Sequence, residues 1–171
     1  MDLLIYLLIF LFGYKNDGNI TIAVVDNFNA ESIHGITMFN IISYQCNNCP
    51  IEKFNFNKGY DSSFEQSLAL LKACLSKNDI INYSIAGDNS DVFLFFITKL
   101  CVKNEKIIIT SSGNDSDNNV NYPCGYDEYV ICIGGLKASE GLMKNIAFTN
   151  NEHVDFYYNS IYNTGLHIIE G

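Results

Sequence analysis

With 171 residues, 48% of them apolar and 17% charged, the chain is long enough to bury one core and too apolar for a disordered tract. Its net charge of −9, with only 10 Lys and Arg, argues against a nucleic-acid partner, because phosphate binding rests on those two side chains.

The chain opens on an unbroken apolar run, Leu3 to Phe12. Such a run is too short to span a bilayer comfortably and suits the apolar stretch of an export signal. Secretion, or membrane association through residues 3–12, is therefore expected ahead of a buried N-terminal segment. Asp2 stands where a basic flank is usual, and no small-x-small cleavage site follows. Residues 1–18 are read as this segment and 19–171 as one domain.

From Ile20 onward, strand-like and helix-like stretches alternate. "ITIAVV" (20–25) is a short apolar run that ends at Asp26. "HGITMFNIISY" (34–44) carries Ile36, Phe39 and Ile42 at helical spacing, and "IEKFNF" (51–56) fits a strand. "DSSFEQSLALLKACLSK" (61–77) is the clearest helix, with Phe64, Leu68, Leu71 and Leu75 on one face and Ser62 with Glu65 as a capping box. "DIINYS" (79–84) is the next strand. "DVFLFFITKLCVK" (91–103) favours helix by its length, although its residue types also suit a strand. "KIIIT" (106–110) and "EYVICIGG" (128–135) complete the strands. Alternation of this kind requires crossover connections, hence an α/β fold in three layers around a mostly parallel sheet. A sheet covered on both faces also explains Ile107-Ile108-Ile109, which shows no polar alternation.

The six cysteines include one C-x-x-C pair, Cys46-Asn47-Asn48-Cys49. A zinc or redox reading of it finds no second pair at ligand spacing, and His34, His153 and His167 do not cluster with it. Cys74, Cys101 and Cys132 sit in apolar runs and read as small buried hydrophobes.

In open α/β sheets, sites form beyond the carboxyl ends of the strands. There the sequence places Asp26, then Ser84-Ile85-Ala86-Gly87, then Ser111-Ser112-Gly113-Asn114, with His34 opening the first helix on the same edge. An acid, an imidazole and an amide on one edge form a catalytic arrangement in outline.

These blocks resemble those of subtilisin-like serine proteases. The family's D-[ST]-G and H-G-T-H are matched by Asp26-Asn27-Phe28 and His34-Gly35-Ile36-Thr37. "DIINYSIAG" is similar to D-V-I-N-M-S-L-G, and "IIITSSGN" to V-V-V-A-A-A-G-N. "NYPCGYDEYVICIGG" and "IAFTNNEHVDF" resemble two later blocks, in family order over roughly residues 20–160. The resemblance implies that Asp26 orients the histidine and that His34 is general base and then general acid. It implies that Asn114 donates its amide to the oxyanion. Ser84, Ile85, Ala86 and Gly87 would pair with the substrate backbone as an added strand. Ser111, Ser112 and Gly113 would line the pocket for the residue before the scissile bond. The implied partner is a peptide or protein substrate. No cofactor is identifiable; calcium is common in the family, but no site is assigned here.

Three departures stand out. Asp26 and His34 are only eight residues apart, Asn27-Phe28 replaces a small residue and glycine, and the nucleophile block G-T-S-M-A has no counterpart. Gly171 is in place to be the first residue of that block. The expectation is a serine endopeptidase domain short of its C-terminal part, its serine lying beyond the chain end and residues 1–171 inactive alone. The alternative is a catalytically inactive domain of the same family that binds a peptide or a protein partner.

Overall fold

The computed structural model describes residues 20–29, 32–46, 48–57, 62–115, 117–139, 142–147, 152–159, 161–163 and 168–170. The apolar run 3–12 lies outside them. In chain order the elements are β1 (Ile22–Asp26), α1 (Ile33–Gln45), β2 (Ile51–Asn55), α2 (Ser63–Cys74), β3 (Ile80–Tyr83), α3 (Val92–Lys103) and β4 (Ile107–Ser111). A 3₁₀ turn (Asp127–Tyr129) leads into β5 (Ile131–Ser139), followed by β6 (Leu142–Ala147), β7 (Phe156–Asn159), β8 (Ile161–Asn163) and β9 (Ile168–Glu170). Six strands pair in parallel in the order β2-β1-β3-β4-β5-β7. β6 adds to β5 in antiparallel fashion, and β8 and β9 form a separate ribbon.

The strands alternate their side chains between two cores, as the pleat requires. Ile22, Val24, Ile80 and Ile109 face Ile42 of α1. Ala23, Val25, Ile81, Tyr83 and Ile108 face α2 and α3, meeting Leu70, Ala73 and Ile97. The result is the expected three-layer α/β arrangement, with α1 on one side and α2 and α3 on the other. Asp91 caps α3, its Oδ1 accepting the N–H groups of Phe93 at 2.7 Å and Leu94 at 3.0 Å.

Four local expectations are corrected. The buried stripe of α2 is Gln66, Ser67, Ala69, Leu70, Ala73 and Cys74, while Phe64 and Leu75 are exposed. Small side chains let the helix approach the sheet and α3 closely, and that contact outweighs the leucine spacing. The Ser62–Glu65 capping box does not form: the Ser62 side chain makes no cap hydrogen bond, and Glu65 Oε2 accepts the Asn57 N–H at 2.9 Å. Residues 128 and 129 belong to the 3₁₀ turn and not to β5, because the Tyr129 N–H is held by the Tyr126 carbonyl at 2.7 Å.

Finally, the cysteines are paired as Cys46–Cys49, Cys74–Cys101 and Cys124–Cys132, and none is free. Cys74 and Cys101 are buried, as small hydrophobes would be, but the packing of α2 on α3 brings their Cα atoms to 4.8 Å, within bonding range.

Candidate active site

β1 and β3 are neighbours, yet the chain leaves them toward opposite faces: β1 leads to α1 and β3 to α3. Such a reversal opens a crevice at the carboxyl ends of the strands. Asp26, the last residue of β1, stands at that end and is fully buried. Its Oδ1 accepts the Asn27 N–H at 2.7 Å, and its Oδ2 lies 2.8 Å from Nδ1 of His34 in the first turn of α1. An ionised carboxylate only accepts, so Nδ1 carries the proton and Nε2 is left with its lone pair. The His34 side chain is 44% exposed and lines the cleft, in front of the buried Asp26 carboxylate.

The turn after Asp26 is held by asparagines. Asn55 Oδ1 accepts the Phe28 N–H at 2.8 Å, and Asn27 Oδ1 accepts the Asn29 N–H at 3.0 Å. Asn29 Nδ2 reaches the Asn57 carbonyl at 3.1 Å. These side chains take up backbone donors and acceptors of the turn that follows Asp26. The Phe28 ring packs beside the α1-facing core, with Lys53 Nζ 5.1 Å from its centroid. Sequence reasoning missed this network, for which the only signal is the abundance of Asn around positions 27–29 and 55–57.

Gly35 makes the Asp26–His34 approach feasible. A Cβ there would stand 2.4 Å from the Asn27 carbonyl oxygen and 3.1 Å from Asp26 Cβ. The obstacle is backbone, so α1 would have to shift away from β1. We expect Gly35→Ala to destabilise the fold by about 1–3 kcal/mol, the range for overpacked sites, as read from its denaturation midpoint. An unchanged midpoint would mean that α1 does not need this approach.

Beyond His34 lies a cleft of about 670 Å³. Of the residues expected to form the site, His34, Ser84, Ile85, Ala86, Gly87, Ser111, Gly113 and Asn114 line it. Asp26 sits behind His34. Ser112 is the exception to the expected pocket wall: it is 1% exposed and points away, because side chains alternate past the end of β4. Its carbonyl accepts Asn121 Nδ2 at 2.8 Å, and its N–H is held by the Ile133 carbonyl at 2.9 Å.

Gly87 is a partial correction. Its N–H and carbonyl are both taken by Tyr122, at 3.0 and 2.7 Å, leaving neither for a peptide strand. Ala86, by contrast, lines the cleft and has no backbone hydrogen bond among the described residues.

The cleft also holds residues that sequence reasoning did not single out, among them Gln66, Tyr83, Asp88, Asp91, Asp115 and Tyr122. Burial, and then the charge on Asp91, push the Tyr83 phenol above its ordinary range. Among the described residues, no group of three metal-ligating side chains comes together, and no helix is long and apolar enough to cross a membrane.

Comparison with known proteins gives the same architecture. The chain is similar to the prenylagaramide maturation protease PagA, with a TM-score of 0.68 and 18% identity, over 88% of this chain and 68% of that one. It is similar to a cold-adapted subtilisin-like serine proteinase, with a TM-score of 0.71 and 12% identity, over 92% and 72%. The self-cleaved protease domain of PatA matches with a TM-score of 0.61 and 16% identity, over 75% of this chain and 61% of its own. No curated protein matches. The subtilase family model matches residues 20–163, most of the chain, and the chain therefore belongs to the subtilase family of serine proteases.

Proposed function

We propose that the chain carries the Asp/His/oxyanion part of a serine endopeptidase site. The observation that supports this best is the 2.8 Å contact between buried Asp26 and His34, at the mouth of a cleft that Asn114 also lines. On this reading His34 Nε2 takes the proton of a serine hydroxyl as that oxygen attacks the peptide carbonyl, and later returns it to the leaving amine. Asp26 fixes the tautomer and stabilises the imidazolium. The Asn114 amide donates to the oxyanion, while Ala86 pairs with the substrate backbone.

The attacking serine lies outside residues 1–171. Ser84 does not compete for the role, because its hydroxyl exchanges hydrogen bonds with the Asn82 side chain at 3.0 and 3.3 Å. The second reading, an inactive peptide-binding domain, uses the same cleft without the hydroxyl.

Hydrolysis of an internally quenched peptide by the intact protein separates the two. Activity is expected, and Asn114→Ala should lower kcat by roughly 10²–10³-fold with little change in KM. A variant with full kcat would remove Asn114 from the oxyanion role. A wild-type protein that binds peptides but never cleaves them would favour the inactive reading.

A further inference from the structure

Away from His34 and Asn114, the cleft runs between the first turns of α2 and α3, where Ser63, Gln66, Tyr83, Asp88, Asp91 and Leu94 line it. Two oxygens there have no hydrogen-bond partner among the described residues. Tyr83 is 1% exposed, and its hydroxyl makes no hydrogen bond among the described residues. Asp91 is half-buried and rigidly held. Its Oδ1 caps α3, and its backbone N–H and carbonyl both bond the Tyr126 hydroxyl, at 3.1 and 2.9 Å. Its second oxygen, Oδ2, has no hydrogen bond among the described residues. Neither oxygen is sealed from the cleft, so N–H donors of an occupant can reach both without displacing a protein partner. Asp88 adds a second negative charge at the rim, and among the described residues no lysine or arginine lines the cleft.

We infer that this end of the cleft is a subsite for a lysine or arginine side chain of the bound peptide. The aliphatic stem lies along Leu94 and Ile85, which supply apolar wall, and the cationic head brings several N–H donors to Tyr83 Oη and Asp91 Oδ2. The inference rests on the peptide-cleft reading above and adds the class of substrate.

The test is fluorescence anisotropy with the intact protein, pretreated with diisopropyl fluorophosphate so that nothing is cleaved. The probes are fluorescein-labelled octapeptides on an Ala/Gly scaffold, with Lys, Arg or norleucine stepped through each position. At one position Lys or Arg is expected to bind at least about tenfold tighter than norleucine, a gap of about 1.4 kcal/mol. Asp91→Asn, which keeps a capping side chain, and Tyr83→Phe, which keeps the ring, should each cut that ratio to about threefold or less. Equal binding of all peptides would overturn the inference and leave the peptide-cleft reading standing. Failure of every peptide to bind would overturn both. A preference that survives both variants would overturn the assignment to Tyr83 and Asp91.

Discussion

His34→Ala is expected to lower kcat for peptide hydrolysis by on the order of 10⁶-fold, with KM little changed. The imidazole is the one group in the cleft whose lone pair is directed by a buried anion, through the 2.8 Å contact to Asp26 Oδ2. Without it, no base takes the proton from the attacking hydroxyl and no acid protonates the leaving amine, so both halves of the reaction fail together. What remains is catalysis by binding and by the Asn114 amide. The substrate still pairs with Ala86 and fills the same cleft, which is why KM should hold. The measurement is steady-state hydrolysis of a quenched peptide, checked against an unchanged far-ultraviolet spectrum. A loss of less than about 10³-fold in a folded variant would mean that His34 does not transfer the proton.

Asp26→Asn should cost about 10⁴-fold in kcat. The substitution keeps the size of a side chain that is fully buried, and its carbonyl oxygen can still accept the Asn27 N–H. What changes is the group facing His34. An amide turned to meet that bond presents its NH₂ to Nδ1, which must then be the acceptor, so the proton moves to Nε2 and the lone pair is lost from the side that needs it. The imidazolium formed during the reaction also loses its counter-charge. A kcat within about tenfold of wild type would show that the tautomer is set by something other than Asp26.

Much of this architecture is legible in the residues because two periodicities and one topological rule agree. The runs at 20–25, 79–84 and 106–110 are short and built around β-branched residues, as buried strands are, and the helical stretches between them require parallel crossovers. Parallel strands put all their carboxyl ends on one edge, so Asp26, Ser84 and Ser111 to Asn114 gather there whatever the details of the loops. Less legible is anything decided by close packing. On α2 the leucine spacing points to one face, whereas the buried face is built from Ala69, Ala73 and Cys74. Proximity to α3 selects small side chains over large ones, and that proximity has no signature within a single helix.

The same holds for the disulfides. The partner of Cys74 is 27 residues away on the neighbouring helix, so spacing alone cannot pair them. Ser112 departs from the expected pocket wall for a smaller reason. Ser111, Ser112 and Gly113 read as one wall in the sequence, although extended backbone turns successive side chains to opposite sides. The Asn29–Asn55–Asn57 scaffold under Asp26 joins two segments that only the β1–β2 pairing brings together.

The central claim is that Asp26 and His34 activate a serine for attack on peptide bonds, and fluorophosphonate labelling of the intact protein tests it most directly. Such probes react with a hydroxyl only where a base removes its proton beside an oxyanion donor. The account predicts one label per molecule on a single serine outside residues 1–171, with labelling lost in His34→Ala and slowed in Asn114→Ala. Stoichiometric labelling of a serine within residues 1–171, or labelling that persists without His34, would contradict it.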